Sequence, residues 1–303
     1  MKRRKRHKGK IRKLLYGITA VALVFLCLLT YSFLHSPSQT NINQGFSYKA
    51  AIVDHLSLFE PNPTFNQTAS TILEEAGFTV DYYPAEKVTV ESYRNLPSHD
   101  YGLIILRVHS AIDPKTTALA LFTSELYNKN DHYFEQLAGQ VGGAQISQGD
   151  HIYFGVGPLF VLQCVKGSFH NTIIIMMSCN GLTYTQMAEA FIKKGAKAYI
   201  SWSDSVLASH TDKATIHLLQ HLITEKQTIK KAVSETMEEV GPDPESGSIL
   251  QYYPDSVDYY IIPNSASKLI LNEATISVYH SIFRVLMFIV PSRKIIGYPK
   301  QIY

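Results

Sequence analysis

The run Thr172–Gly181, TIIIMMSCNG, constrains the fold more than any other stretch of this chain. It is apolar without alternation, carries three consecutive isoleucines, and stops abruptly at Ser178-Cys179-Asn180-Gly181. A run this short is not a helix core; it reads as a strand buried on both faces. A helix pattern follows. Thr183 and Gln186 suit a capping box, Tyr184, Met187, Ala188, Phe191 and Ile192 repeat at helical spacing, and Gly195 sits just past the end. Cys179 is therefore expected at the carboxyl end of a buried parallel strand, ahead of a helix N-terminus. In open α/β sheets that edge binds ligands, and a helix dipole there favours thiolate over thiol.

The same grammar recurs on either side. Tyr48–Val53 reads as a strand ending at Asp54-His55, followed by a helical stripe of Phe65, Ala69, Ile72, Leu73 and Ala76 closed by Gly77. Phe78–Tyr83 is a second strand, Val88–Leu96 a short helix, and Tyr101–Val108 a third buried strand ending in His109-Ser110-Ala111. From about 112 to 169 the pattern breaks into a hairpin around Ala118–Glu125, the Gly-rich Gly139–Gly143 and a β-like run His151–Val165, read as a β-rich insertion. Alternation then resumes. Ala198–Trp202 is a strand, Ser209 opens a helix, and Ile229, Ala232, Val233, Thr236, Met237 and Val240 mark another that Gly241-Pro242 closes. Strands alternating with helices predict an α/β domain over 48–241, with a mainly parallel sheet flanked by helices on both faces. Residues 242–303 are Tyr- and Pro-rich and read as a C-terminal extension packed on that domain. Within them Ser281–Val290 is apolar but about half the length of a membrane span, which suits a packed or interfacial helix.

The amino end has a different character. Nine of the chain's 28 Lys and Arg lie in residues 1–13, so the remainder carries 19 against 25 Asp and Glu, a net of −6. Leu14–Leu34 follows with 21 uncharged residues, long enough to cross a bilayer and too long for a typical signal-peptide core. No small-x-small cleavage site follows it. The reading is a basic cytoplasmic tail (1–13), an uncleaved single-pass transmembrane helix (14–34), a polar linker (35–47) and an extracytoplasmic domain. Basic residues ahead of a span are explained by membrane topology, so no nucleic-acid partner is expected. Of three cysteines Cys27 falls in the span, leaving Cys164 and Cys179, as free thiols or as one disulfide.

His109 and Cys179 end two apolar strands 70 residues apart. On neighbouring strands both would face one crevice. A thiol beside an imidazole is the minimum for nucleophilic catalysis, with backbone N–H groups of Ser110 and Cys179 available to hold an oxyanion. Apolar strand–His-Ser, then apolar strand–Ser-Cys, resembles the caspase-like cysteine peptidases. The flank MMSCNG with MAEAFIKKGAKAYISWSDSV is similar to the gingipain, CHAT and separase branches of that family. The resemblance implies a Cys179 nucleophile, a His109 general base and a peptide or protein substrate. One departure is Ser110, where the family carries Gly.

Relatives that cut after Arg or Lys place an acid at the base of the pocket. By position the candidates here are Asp54, Asp204 with Trp202 as apolar wall, and, ranked last because Ser209-x-x-Asp212 suits a helix cap, Asp212. The rival reading is a surface-displayed binding module with a weak or dead site, which Ser110 favours. No cofactor is expected. His217 and His221 stand four apart on a helix and could chelate a metal, but no third ligand accompanies them in sequence, so no metal site is expected either.

Overall fold

Six strands form the central sheet, in the order β10-β9-β8-β3-β1-β2. They are β1 (Lys49–Asp54), β2 (Thr79–Pro84), β3 (Leu103–Arg107), β8 (Ile173–Met176), β9 (Ala198–Trp202) and β10 (Leu250–Tyr253). The computed structural model describes residues 45–147 and 151–263. The expected transmembrane segment and Ser281–Val290 lie outside the described residues. Among the described residues no helix is long and apolar enough to cross a membrane.

Five strands run parallel and β10 closes one edge antiparallel to β9. Every residue of β3, β8 and β9 is buried, because the side chains that alternate across the pleat meet helices on both faces. On one face Ile52, Leu103, Ile105, Ile173, Ile175 and Ile200 pack against α1 (Pro63–Glu75), α6 (Ala208–Leu219) and α7 (Ile229–Val240). On the other, Val53, Ile104, Leu106, Ile174 and Met176 meet α2 (Val90–Asn95), α4 (Pro158–Gln163) and α5 (Gln186–Lys193). Each such Ile or Leu contributes about 1.5–3 kcal/mol by burial, so the strand ends bearing the candidate site rest on the most strongly packed part of the molecule.

The insertion is a second, antiparallel sheet ordered β4-β5-β7-β6. Its strands are β4 (Ser110–Ile112), β5 (Leu119–Leu126), β6 (Val141–Ala144) and β7 (Tyr153–Val156), with the short α3 (Tyr133–Leu137) between β5 and β6. The stretch Ala118–Glu125, expected to hold a hairpin, is instead the single strand β5, which forms its hairpin with the upstream β4. The run His151–Val165 divides: β7 ends at Val156, and Pro158 at the first position of α4 turns the rest into helix, since its fixed φ and missing N–H suit a helix start.

Three further differences from the sequence reading bear on the site. Helix α5 begins at Gln186 without a side-chain cap, because the Thr183 hydroxyl donates to Asn180 Oδ1 (3.2 Å) and Ser203 O (2.6 Å). Six residues thus separate Cys179 from the first helical residue, and a dipole that decays within one turn does not act on the thiol. Helix α6 also lacks a side-chain cap, and Asp212 is buried with another partner. Finally β10, in a stretch without sequence pattern, is a strand of the main sheet.

Candidate active site

Register brings the two chemical residues together. Strands β3 and β8 are parallel neighbours with Leu106 opposite Met176, and the ladder continues as Met177 N–H donates to Leu106 O (2.9 Å). His109 and Cys179 each lie three residues beyond that pair. Both line one cleft of about 190 Å³, together with Leu56, Glu60, Val206, Leu207 and Ser209.

The loop carrying Cys179 is fixed on both sides. Asn180 has φ of 60°, a left-handed conformation that Asn tolerates better than most residues, and its N–H donates to Asp204 O (2.9 Å). Gly181 has no room for a side chain: a Cβ there would lie 1.9 Å from Ser201 Oγ and 2.9 Å from Met176 Sδ. Across the cleft floor Ser178 Oγ donates to Ser110 Oγ, which donates to Cys179 O. The Ser110 hydroxyl thereby ties the His109 strand to the Cys179 loop, and its φ is not positive, so the position does not demand Gly. The sulfur accepts from Val206 N–H at 3.4 Å and faces Val206 O at 3.6 Å. Among the described residues no protein acceptor engages the Cys179 backbone N–H.

His109 is half-buried in an aromatic collar. Its ring stands edge-on to His55 (5.8 Å), Phe59 (5.6 Å) and Phe122 (6.1 Å) between centroids. Neither ring nitrogen bonds to protein among the described residues. Burial, and then the charge of Arg107 two residues away, lower its pKa below the ordinary 6.5. Behind it His55 is fully buried, with Nδ1 on Ser124 Oγ (2.9 Å) and Nε2 without a protein partner. Burial and the neighbouring His109 push His55 down to about 3, so it stays neutral.

Beneath the collar sits a buried charge network that sequence reasoning missed. Arg107, 1% exposed, grips Asp212 through Nε (2.7 Å) and Nη2 (2.9 Å) and reaches Asp54 through Nη1 (2.8 Å). Burial opposes the guanidinium charge, but the bonds to Asp212 and Asp54 outweigh it and raise its pKa. Its remaining donor bond, from Nη2 to Glu60 O (2.8 Å), fixes the backbone at the cleft rim. An arginine closing an apolar strand was the one signal in the sequence, since such a residue requires buried carboxylates nearby.

The expected pocket residues are dispersed. The Asp54 carboxylate is fully buried and engaged by Arg107, Asn66, Tyr82 and the Ser57 N–H. Trp202 is 1% exposed in the core beneath α6, donating to Thr211 Oγ1 (2.9 Å). Asp204 is exposed, outside the cleft lining, and accepts from Ser205 N–H (2.7 Å). The acid that does line the cleft is Glu60, whose exposed carboxylate has no partner among the described residues. A larger apolar cavity of about 810 Å³ lies over the small sheet, lined by Ala111, Ile112, Leu119, Pro158 and Leu162, and begins two residues beyond His109. One group of metal-capable side chains occurs among the described residues: His221, Glu225 and Glu235, near the far end of α6.

No family model and no curated protein matches the sequence. Among solved structures the chain is similar to the Arg-specific cysteine proteinase gingipain R, at 12% identity over 72% of this chain and 48% of that one, with a TM-score of 0.46. It is similar also to the complex of the Porphyromonas gingivalis RgpB pro- and mature domains, at 11% identity, 71% and 49% coverage and a TM-score of 0.44. The chain spans about half the length of each. The functional reading therefore rests on the site's own geometry. In that geometry the expected frame is present: a mainly parallel sheet flanked by helices on both faces, with His and Cys on adjacent strand ends.

Proposed function

We propose that the protein is a cysteine endopeptidase, held at the membrane by residues 14–34 with its main domain extracytoplasmic. The observation that carries the reading is the register-matched placement of His109 and Cys179 in one cleft, with the His109 nitrogens unbonded and its pKa lowered. A neutral imidazole is the form that accepts a proton. In this mechanism His109, which makes no direct hydrogen bond to the Cys179 sulfur in the free cleft, takes the Cys179 proton through one bridging water or on closing up as substrate binds, and the sulfur attacks the scissile carbonyl carbon. The developing oxyanion draws on the free Cys179 N–H. Protonated His109 then gives its proton to the departing amine, and water hydrolyses the thioester.

Cleavage after a basic residue is part of the proposal, with Glu60 rather than Asp54 or Asp204 as the recognising acid. Asp54 is already neutralised by the protein's own arginine, whereas Glu60 stands unpaired at the cleft with its backbone held by Arg107. A carboxylate facing a guanidinium or ammonium gains a charge-assisted bond. The test is a set of fluorogenic peptides differing only at the residue before the scissile bond. Preference for Arg or Lys, with kcat/KM for those peptides falling about 10-fold or more in Glu60→Gln, is expected. Turnover that survives Cys179→Ala would overturn Cys179 as the nucleophile, and no turnover with any peptide would leave the rival reading of a binding module.

A further inference from the structure

We propose a zinc site where the end of α6 meets α7, built from His221, Glu225 and Glu235 and separate from the catalytic cleft. The sequence presented His217 and His221 without a third ligand; the fold supplies the carboxylates. His221 lies in a π-type turn, Gln220–Thr224, that extends α6, and its side chain is 6% exposed. Its Nδ1 lies 3.0 Å from Glu225 Oε2 and 3.7 Å from Glu235 Oε2, and the three donor atoms lie within 4.8 Å of one another. Two ligands about 2.0 Å from a tetrahedral zinc are about 3.3 Å apart, so this spacing accommodates the ion with small shifts.

The other imidazole nitrogen completes the pattern. Nε2 lies 3.2 Å from Glu239 Oε2, which also accepts from His217 Nδ1 (2.6 Å). A metal-bound histidine characteristically donates its second N–H to a carboxylate, which fixes the tautomer.

Gln227 lies against the same two carboxylates. Gln227 Nε2 contacts Glu225 Oε2 (2.7 Å) and Glu235 Oε2 (2.5 Å), while Gln227 Oε1 is fully buried and has no partner. In the proposed metal-bound state the amide turns by half a rotation, so that Oε1 meets the cation in place of the Nε2 hydrogens that satisfy the carboxylates without it. Lys231 binds the other Glu235 oxygen, Oε1 (3.3 Å), leaving Oε2 for the metal. One imidazole nitrogen and two carboxylate oxygens are zinc donors, and the imidazole favours zinc over magnesium or calcium. The ion would clamp the end of α6 to α7, and its role is structural.

The test uses the full-length protein in detergent, stripped with chelator and carrying Cys179→Ser so that the cleft thiol cannot bind metal. Calorimetric titration with Zn²⁺ should show one equivalent per chain, and saturating zinc should raise the melting midpoint by about 4 °C. Glu225→Gln/Glu235→Gln keeps the shape of the site and should weaken binding at least about 10-fold. His217→Ala should leave it intact. Absence of uptake, or uptake unchanged in the double variant, overturns the proposal.

Discussion

At the scale of single residues, the cleft depends on one imidazole being kept neutral and one thiol being left accessible. Because burial and Arg107 lower the His109 pKa, the acid limb of kcat/KM should have its midpoint below 6.5; a midpoint at or above 6.5 would show that His109 is not the base. His55 makes a separate, thermodynamic prediction. Its folded pKa of about 3 lies below the unfolded 6.5, so the unfolded chain binds more protons between those values. Stability is then intact above pH 6.5 and is lost as pH falls, by at most about 1.4 kcal/mol per pH unit from this group. Urea unfolding between pH 7.5 and 4.5 should show a shallower loss in His55→Phe than in the wild type, and identical slopes would refute the assignment. Cys164 is a free thiol donating to Gln140 Oε1 (3.0 Å), and burial raises its pKa. Mass analysis after alkylation, with and without reduction, should find both Cys164 and Cys179 unbridged; a disulfide between them would remove the nucleophile.

At the scale of elements, the strand ends are held by ion pairing as well as by packing. Arg107 ends β3, Asp54 ends β1 and Asp212 lies in α6, so one guanidinium joins three elements directly below the cleft. Arg107→Met leaves two buried carboxylates unpaired and should cost about 3–5 kcal/mol in urea unfolding, against less than 1 kcal/mol if the network were incidental. The same network marks where the sequence stopped being informative. The continuous apolar runs at Tyr101–Val108 and Thr172–Met177 made β3 and β8 legible, because a strand buried on both faces leaves no other reading. Neither run revealed that Asp212 reaches Arg107 from 105 positions away, and the local Ser209-x-x-Asp212 pattern suggested a cap instead. Glu60 was hidden for the same reason. Nothing nearby in sequence says that its loop folds back over the ends of β3 and β8. The metal ligands divide similarly, His221 and Glu225 being local to the end of one helix while Glu235 comes from the next.

At the scale of the whole molecule, the proposal joins a catalytic domain to a membrane anchor. Protease added to intact cells should digest the domain while residues 1–13 stay protected; protection of the entire chain until lysis would reverse the proposed topology. The central claim is that His109 activates Cys179, and Cys164 offers an internal reference in the same molecule. The most direct measurement is the rate at which a peptidyl chloromethyl ketone alkylates each cysteine at pH 7, read by peptide mapping, in the wild type and in His109→Ala. The account predicts that Cys179 reacts far faster than Cys164 in the wild type and slows at least about 100-fold in the variant, with Cys164 unchanged. Equal rates at Cys179 in the two proteins would contradict it.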